Sequence, residues 1–202
     1  MADVDAPPVP RPLFDAERRP LLEPPGGLLM WIVVACELLA FTIGFFLLVD
    51  LRVSEPEVFR AGQAALSPAM GLALTLTLVT SGWLLAEGVH AYRLARVELA
   101  RRYYGLAALT GLGFVGLKIA DYAGKMQHGY GLGVDSFWDA YFLGTGFHFV
   151  HVLLGLVLFG GVGLRLGKTK FEDEETAVAG TALFWHMCDV AWFFLFPLFY
   201  AR

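Results

Sequence analysis

Apolar residues fill this chain in five runs of about twenty residues or more, separated by short polar stretches. The runs predict helices over about Leu28–Val49, Pro68–His90, Tyr103–Tyr122, Trp138–Leu164 and Ala177–Tyr200. At 1.5 Å per residue, each can cross a hydrocarbon core of roughly 30 Å. The strict apolar–polar alternation of an outer-membrane barrel is absent. The expected fold class is an all-α integral membrane protein, a bundle of five transmembrane helices. The loops are too short to house a soluble catalytic domain. No internal repeat of the kind that marks inverted-repeat transporters is visible.

Composition sharpens this picture. The 202 residues are 57% hydrophobic and only 17% charged, against roughly 25% charged in soluble domains. A net charge of −4 without a basic stripe argues against a nucleic-acid partner. Residues 1–26 are a different material, rich in proline and charge. They read as a disordered cytoplasmic tail ahead of a membrane domain over 27–202, and no short apolar region ends in a signal-peptide cleavage site. Lysine and arginine number ten on the side of the tail and four on the other. This places the N-terminus in the cytoplasm and the C-terminus outside. Trp138, Trp192 and Tyr200 are then expected at the outer interface. Cys36 and Cys188 lie inside apolar runs and read as small buried hydrophobes. The charged stretch Lys168–Thr176 reads as a solvated turn.

Against this background, a few ionisable residues fall in the middle of runs. A carboxylate at a helix centre costs roughly 2.5–3.5 kcal/mol on insertion scales, so a chain that keeps one must satisfy it internally. Glu37 sits in the first run, His148 and His151 in the fourth, His186 and Asp189 in the fifth. Gly144, His148, His151 and Gly155 share one helical stripe, and the glycines allow close approach of a neighbour. His186 and Asp189 share a face. Antiparallel fourth and fifth helices are expected to bring two histidines and the aspartate together near mid-membrane, with Glu37 at similar depth. Three readings stay open: a structural network that fixes register, a proton-handling site, and a haem or metal site. Only a cross-helix pair with His186 could grip a haem from both faces. A zinc site would need three or four converging ligands, and no H-E-x-x-H or C-x-x-C motif is present. No residue is assigned a catalytic or metal-ligating role.

Secondary polar positions complete the set. Lys118 and Asp121, near the outer end of the third run, read as an intrahelical ion pair snorkelling to the interface. Glu87 and His90 read as interfacial on the cytoplasmic side, with a proton-entry point as the alternative. Thr75, Thr77, Thr80, Ser81 and Gly82, and then Gly111, Gly113 and Gly116, suit close helix contacts. Phe193, Phe194, Phe196 and Phe199 read as facing lipid or a partner.

Four segments carry a resemblance. TGFHFVHVLLGL (Thr145–Leu156) and FWHMCDVAWFFLFPLFY (Phe184–Tyr200) resemble the last two helices of subunit III of haem–copper oxidases. ACELLAFTIGFF (Ala35–Phe46) resembles the helix that carries this family's buried glutamate, here Glu37. GFVGLKIADY (Gly113–Tyr122) is similar to the segment that usually ends in a glutamate and an aromatic residue, with Asp121 in the glutamate's place. The resemblance spans about Leu28–Tyr200. Five helices match the shortened form, shared by quinol oxidases and by the NorE proteins associated with nitric oxide reductases. LVTSGW (Leu78–Trp83), FWHM and LFPL look most like NorE. The resemblance implies a non-catalytic accessory subunit in the bacterial cytoplasmic membrane. It implies no redox centre in this chain and a catalytic partner carrying haem, with copper or non-haem iron. It also implies phospholipid held between helices. The alternatives are subunit III of a cytochrome c or quinol terminal oxidase and, in a different class, a stand-alone haem protein with histidine ligands from the fourth and fifth helices.

Overall fold

A computed structural model of the chain describes residues 24–168 and 173–201. The described residues form six α-helices and no strand: α1 (Leu28–Ser54), α2 (Pro56–Ala65), α3 (Pro68–Arg93), α4 (Val97–Gln127), α5 (Ser136–Arg165) and α6 (Glu174–Tyr200). All but α2 are long and apolar enough to cross a membrane by length and composition. The five expected spans are present, and α4 extends past its apolar run at both ends, through Glu98 and Arg101 and through Lys125.

Residues 1–23 of the expected tail lie outside the described residues, as do 169–172 of the charged turn. Residues 24–26, also assigned to the tail, instead form a tight turn. Gly27 N–H donates to Pro24 at 2.8 Å, and Trp31 Nε1–H donates to Pro25 at 2.9 Å. Gly26 has a φ of +87° and lies so close to the backbone of Gly180 on α6 that a side chain would collide with it. Three helices open on side-chain caps: Ser67 accepts from Met70 N–H, Asp135 from Trp138 N–H and Asp173 from Thr176 N–H.

The bundle is built where large side chains enter spaces left by glycines. Trp185 of α6 is fully buried between Gly111 of α4 and Gly155 of α5; a Cβ there would stand 3.1 and 2.9 Å from the indole. Tyr104 of α4 fits between Gly88 of α3 and Gly163 of α5 in the same way. Ser81 Oγ–H donates to the Ala107 carbonyl at 2.7 Å and ties α3 to α4. Helix α1 differs from the others, because Val34 is its one buried residue and the rest of its surface is open or half-covered.

The sequence reading missed α2, which covers the end of the bundle opposite the tail. Its Phe59 is buried edge-on against Phe137, with ring centroids 5.1 Å apart. Its Gln63 Nε2 donates to the carbonyls of Leu198 at 2.9 Å and Ala201 at 3.2 Å. Arg52 of α1 also reaches the Leu198 carbonyl, at 3.4 Å. These groups satisfy carbonyls that the end of α6 leaves without intrahelical partners.

Several expected exposures reverse. Trp138, Trp192 and Tyr200, expected near the outer interface, are buried within the bundle at 2%, 1% and 5% exposure. Each has a partner inside: Trp138 stacks on Tyr130, Trp192 Nε1–H donates to Thr75 Oγ1 at 2.9 Å, and Tyr200 bonds Tyr141. Phe193 and Phe194 do face outward, but Phe199 is fully buried against Phe137 and Tyr141. Cys188 is buried, whereas Cys36 is exposed because its side of α1 meets no other helix.

The glycine fits give a paired prediction. A Cβ on Gly62 would overlap the Phe137 ring, so Gly62→Ala should lower unfolding stability in detergent by about 1–3 kcal/mol. Nothing lies within 4 Å of a Cβ at Gly116, so Gly116→Ala should leave stability unchanged or raise it by up to about 1 kcal/mol. Denaturant titrations followed by circular dichroism compare the two.

Candidate functional site

Helix α1 carries Glu37 to the flank of α5, where its Oε2 lies 3.0 Å from His151 Nε2. The other imidazole nitrogen, Nδ1, is 2.8 Å from the Phe147 carbonyl. A carbonyl only accepts, so Nδ1 must be the protonated donor. Nε2 can then meet a carboxyl oxygen in two ways. Either Glu37 is protonated and donates, or the imidazole is a cation and the carboxylate accepts. Both arrangements hold one proton between the two residues, and both leave the pair neutral overall. This is how a glutamate survives at membrane depth on a helix that buries little else. Phe41 and Phe147 flank the imidazole at 5.2 and 4.6 Å between centroids. The Glu37 side chain remains 31% exposed and that of His151 10%.

His148, one turn away, points the other way, into the core, and is fully buried. Its Nε2–H donates to the Cys188 carbonyl on α6 at 3.1 Å. Its Nδ1 has no hydrogen-bond partner among the described residues. The ring is therefore a neutral imidazole that ties α5 to α6. His186 and Asp189 form an intrahelical pair on α6, with Nδ1 to Oδ2 at 3.0 Å. Asp189 fits against Gly82 of α3, where a Cβ would overlap its carboxylate. His186 is 43% exposed and lines a cleft of about 290 Å³ with Pro25, His90 and Arg93 at the end of the bundle near the tail.

The expected cluster of two histidines and an aspartate therefore does not form. Glu37, expected to stand apart, takes His151; His148 takes a backbone carbonyl; and His186–Asp189 closes on itself. The haem pairing of His148 with His186 does not fit. The rings of Phe41, Phe114 and Trp192 enclose His148 at centroid distances of 6.3, 5.9 and 5.1 Å, while His186 faces the separate cleft. Glu87 is half-buried, and His90 is exposed and lines that cleft.

The largest departure concerns Lys118 and Asp121. They do not snorkel: Lys118 is fully buried and Asp121 is 7% exposed. Lys118 Nζ donates to Tyr141 Oη at 2.8 Å and to Asp121 Oδ2 at 3.4 Å. Tyr141 Oη–H donates to Asp121 Oδ2 at 2.5 Å and also meets Tyr200 Oη at 2.8 Å. Lys125, one turn on, forms a close ion pair with Asp121 Oδ1. The Lys118 ammonium also lies over the rings of Tyr122, Tyr141 and Trp192 at 4.5, 4.6 and 5.7 Å, which compensates part of its lost hydration. Lys125, Tyr141 and Tyr200 were missed from the sequence. The signal was available on α4 itself: residues 118, 121 and 125 share one helical face.

The Glu37–His151 pairing makes a quantitative prediction. In a double-mutant cycle of Glu37→Gln and His151→Gln, the coupling should fall near the 0.6–1.7 kcal/mol measured for hydrogen bonds between membrane helices. Detergent unfolding of the four proteins measures it, and strictly additive single effects would refute the pair.

The sequence matches the family described as cytochrome c oxidase subunit III over residues 30–202. It is 29% identical over 175 residues to a probable cytochrome c oxidase subunit 3 of Mycobacterium tuberculosis, covering 86% of this chain and 85% of that protein. It is 32% identical over 143 residues to cytochrome c oxidase subunit 3 of Corynebacterium diphtheriae, covering 70% of each. It is 25% identical over 173 residues to quinol oxidase subunit 3 of Bacillus subtilis, covering 82% of this chain and 81% of that protein. The match takes in all six helices but the first two residues of α1, including every ionisable residue of the site. The chain is thus a multi-pass membrane protein that belongs to the cytochrome c oxidase subunit III family.

Proposed function

We propose that this chain is a non-catalytic accessory subunit of a haem–copper respiratory complex in the bacterial cytoplasmic membrane. It stabilises the catalytic subunit and supports that subunit's proton supply. The observation that carries this reading is the single-proton pair of Glu37 and His151, set where α1 meets α5 with the glutamate half-exposed. A proton held there can pass between water and a neighbouring subunit without leaving a bare charge in lipid. Haem, with copper or non-haem iron, belongs to the partner. Phospholipid between helices is supported by an apolar groove of about 180 Å³ between α1 and α6, lined by Phe41, Phe45, Val190 and Phe194 among others.

The finer assignment is to the NorE type, with a nitric oxide reductase as partner. It rests on Leu78–Trp83, Phe184–Met187 and Leu195–Leu198, whose wording looks most like NorE. The second reading, subunit III of a cytochrome c or quinol terminal oxidase, is favoured by the names of the relatives above.

Affinity purification of the full chain in mild detergent separates the two readings. A co-purifying nitric oxide reductase supports the NorE type, and a terminal oxidase supports the second reading. A stoichiometric haem spectrum from the chain alone overturns both. For the proton role, Glu37→Gln should lower turnover of the assembled complex several-fold and alter its pH profile. Unchanged turnover at every pH, with assembly intact, would remove that role.

A further inference from the structure

The cluster on α4 holds more positive than negative charge. Asp121 is the carboxylate paired with Lys118 and also with Lys125, and no second carboxylate pairs with either among the described residues. Tyr141 and Tyr200 add hydroxyl groups, which are neutral. With both ammonium groups protonated, the cluster carries a formal charge of +1, and Lys118 has no access to water. Buried charge of one sign calls for a counter-charge within reach.

A pocket opens beside this excess. It lies between the start of α3 and the end of α4, has a volume of about 370 Å³, and is lined by Ser67, Met70, Asp121, Lys125, His128 and Tyr130 among others. The polar groups in its otherwise apolar lining can meet an anion. Lys125 reaches the pocket and shares Asp121 with Lys118. The N-terminus of α3, capped by Ser67, turns the positive end of the helix toward it. His128 Nδ1–H donates to the Gly124 carbonyl at 2.7 Å, and protonation would make Nε2 a further donor. The one acidic wall, Asp121, already accepts from two lysines and a tyrosine.

The level of the pocket narrows the choice of anion. The 31 residues of α4 span about 46 Å, more than the roughly 30 Å of hydrocarbon, so the helix ends overhang into the headgroup layers. Lys125 and His128 sit at that overhang, and Lys118 is about 10 Å deeper along the helix. The lysine and arginine count puts this end outside. We propose that the pocket binds a phosphate group, either the phosphodiester of an outer-leaflet phospholipid or free inorganic phosphate. Lys125 contacts the phosphate oxygens, and Lys118 supplies the second positive charge beneath through the shared Asp121. The site is separate from the α1–α6 groove and does not depend on which catalytic partner the chain has.

The test uses the full chain with its co-purifying subunits, stripped of lipid in excess detergent. Short-chain phosphatidylglycerol and inorganic phosphate are titrated separately and in competition, with bound ligand read by native mass spectrometry. Saturable binding of the lipid that phosphate does not displace assigns the headgroup. Binding of phosphate that competes with the lipid at similar concentration assigns the free anion. Lys125→Gln should weaken the bound species about tenfold or more, the effect of one lost charge-assisted hydrogen bond. Lys125→Arg should restore most of the affinity. His128→Gln, at an exposed position, should weaken it about threefold. The proposal is overturned if neither ligand binds the native protein. It is equally overturned if Lys125→Gln or, should that variant not fold, His128→Gln binds with unchanged affinity.

Discussion

Lipid tails are as apolar as leucine, so burying an aliphatic side chain between membrane helices gains little over leaving it in the bilayer. Helices adhere there through close fit and through polar groups that have nowhere else to go. That constraint organises this molecule. Trp185 and Tyr104 each occupy a gap that glycines on two neighbouring helices leave open, so one large side chain joins three helices. Where no such fit exists, packing stays thin. Helix α1 offers no glycine socket of this kind and is the least covered of the long helices. The bundle is therefore a close-packed body of α3 to α6 with α1 against its side and α2 across one end.

The same medium governs the ionisable groups, and the chain satisfies them in three different ways. Glu37 and His151 share one proton and stay neutral as a pair. His148 stays neutral alone by donating to a carbonyl. Lys118, Asp121 and Lys125 bond one another and are surrounded by phenols and aromatic faces. The first joins α1 to α5 with its glutamate half-exposed. The second is a structural tie. The third is a buried ion-pair cluster.

The sequence made the long helices legible because an apolar run is a local property. It made the identity of the polar residues legible for the same reason: an ionisable residue inside such a run stands out. Their partners were another matter. Which side of α1 meets α5 is written in neither helix, so Glu37 could not be matched to His151 from spacing. Lys118 and Asp121 read as a snorkelling pair because three-residue spacing near a helix end suggests one. The phenol of Tyr141, which draws the lysine inward, comes from another helix. Helix α2 was overlooked because ten residues with Glu57 and Arg60 among them resemble a polar loop. Its helical period shows only once Phe59 and Gln63 are seen turned to the same side.

The way α1 is held bears on how the chain is made. This helix leaves the ribosome before the other five, yet the partner of its glutamate is on α5. The turn that leads into it rests on Gly180 of α6, and Arg52 at its far end reaches a carbonyl in the last turn of α6. None of these contacts exists while α2, α3 and α4 are being inserted. During biogenesis Glu37 therefore has no His151 to pair with until α5 arrives. The bundle closes onto its first helix only when its last has been delivered.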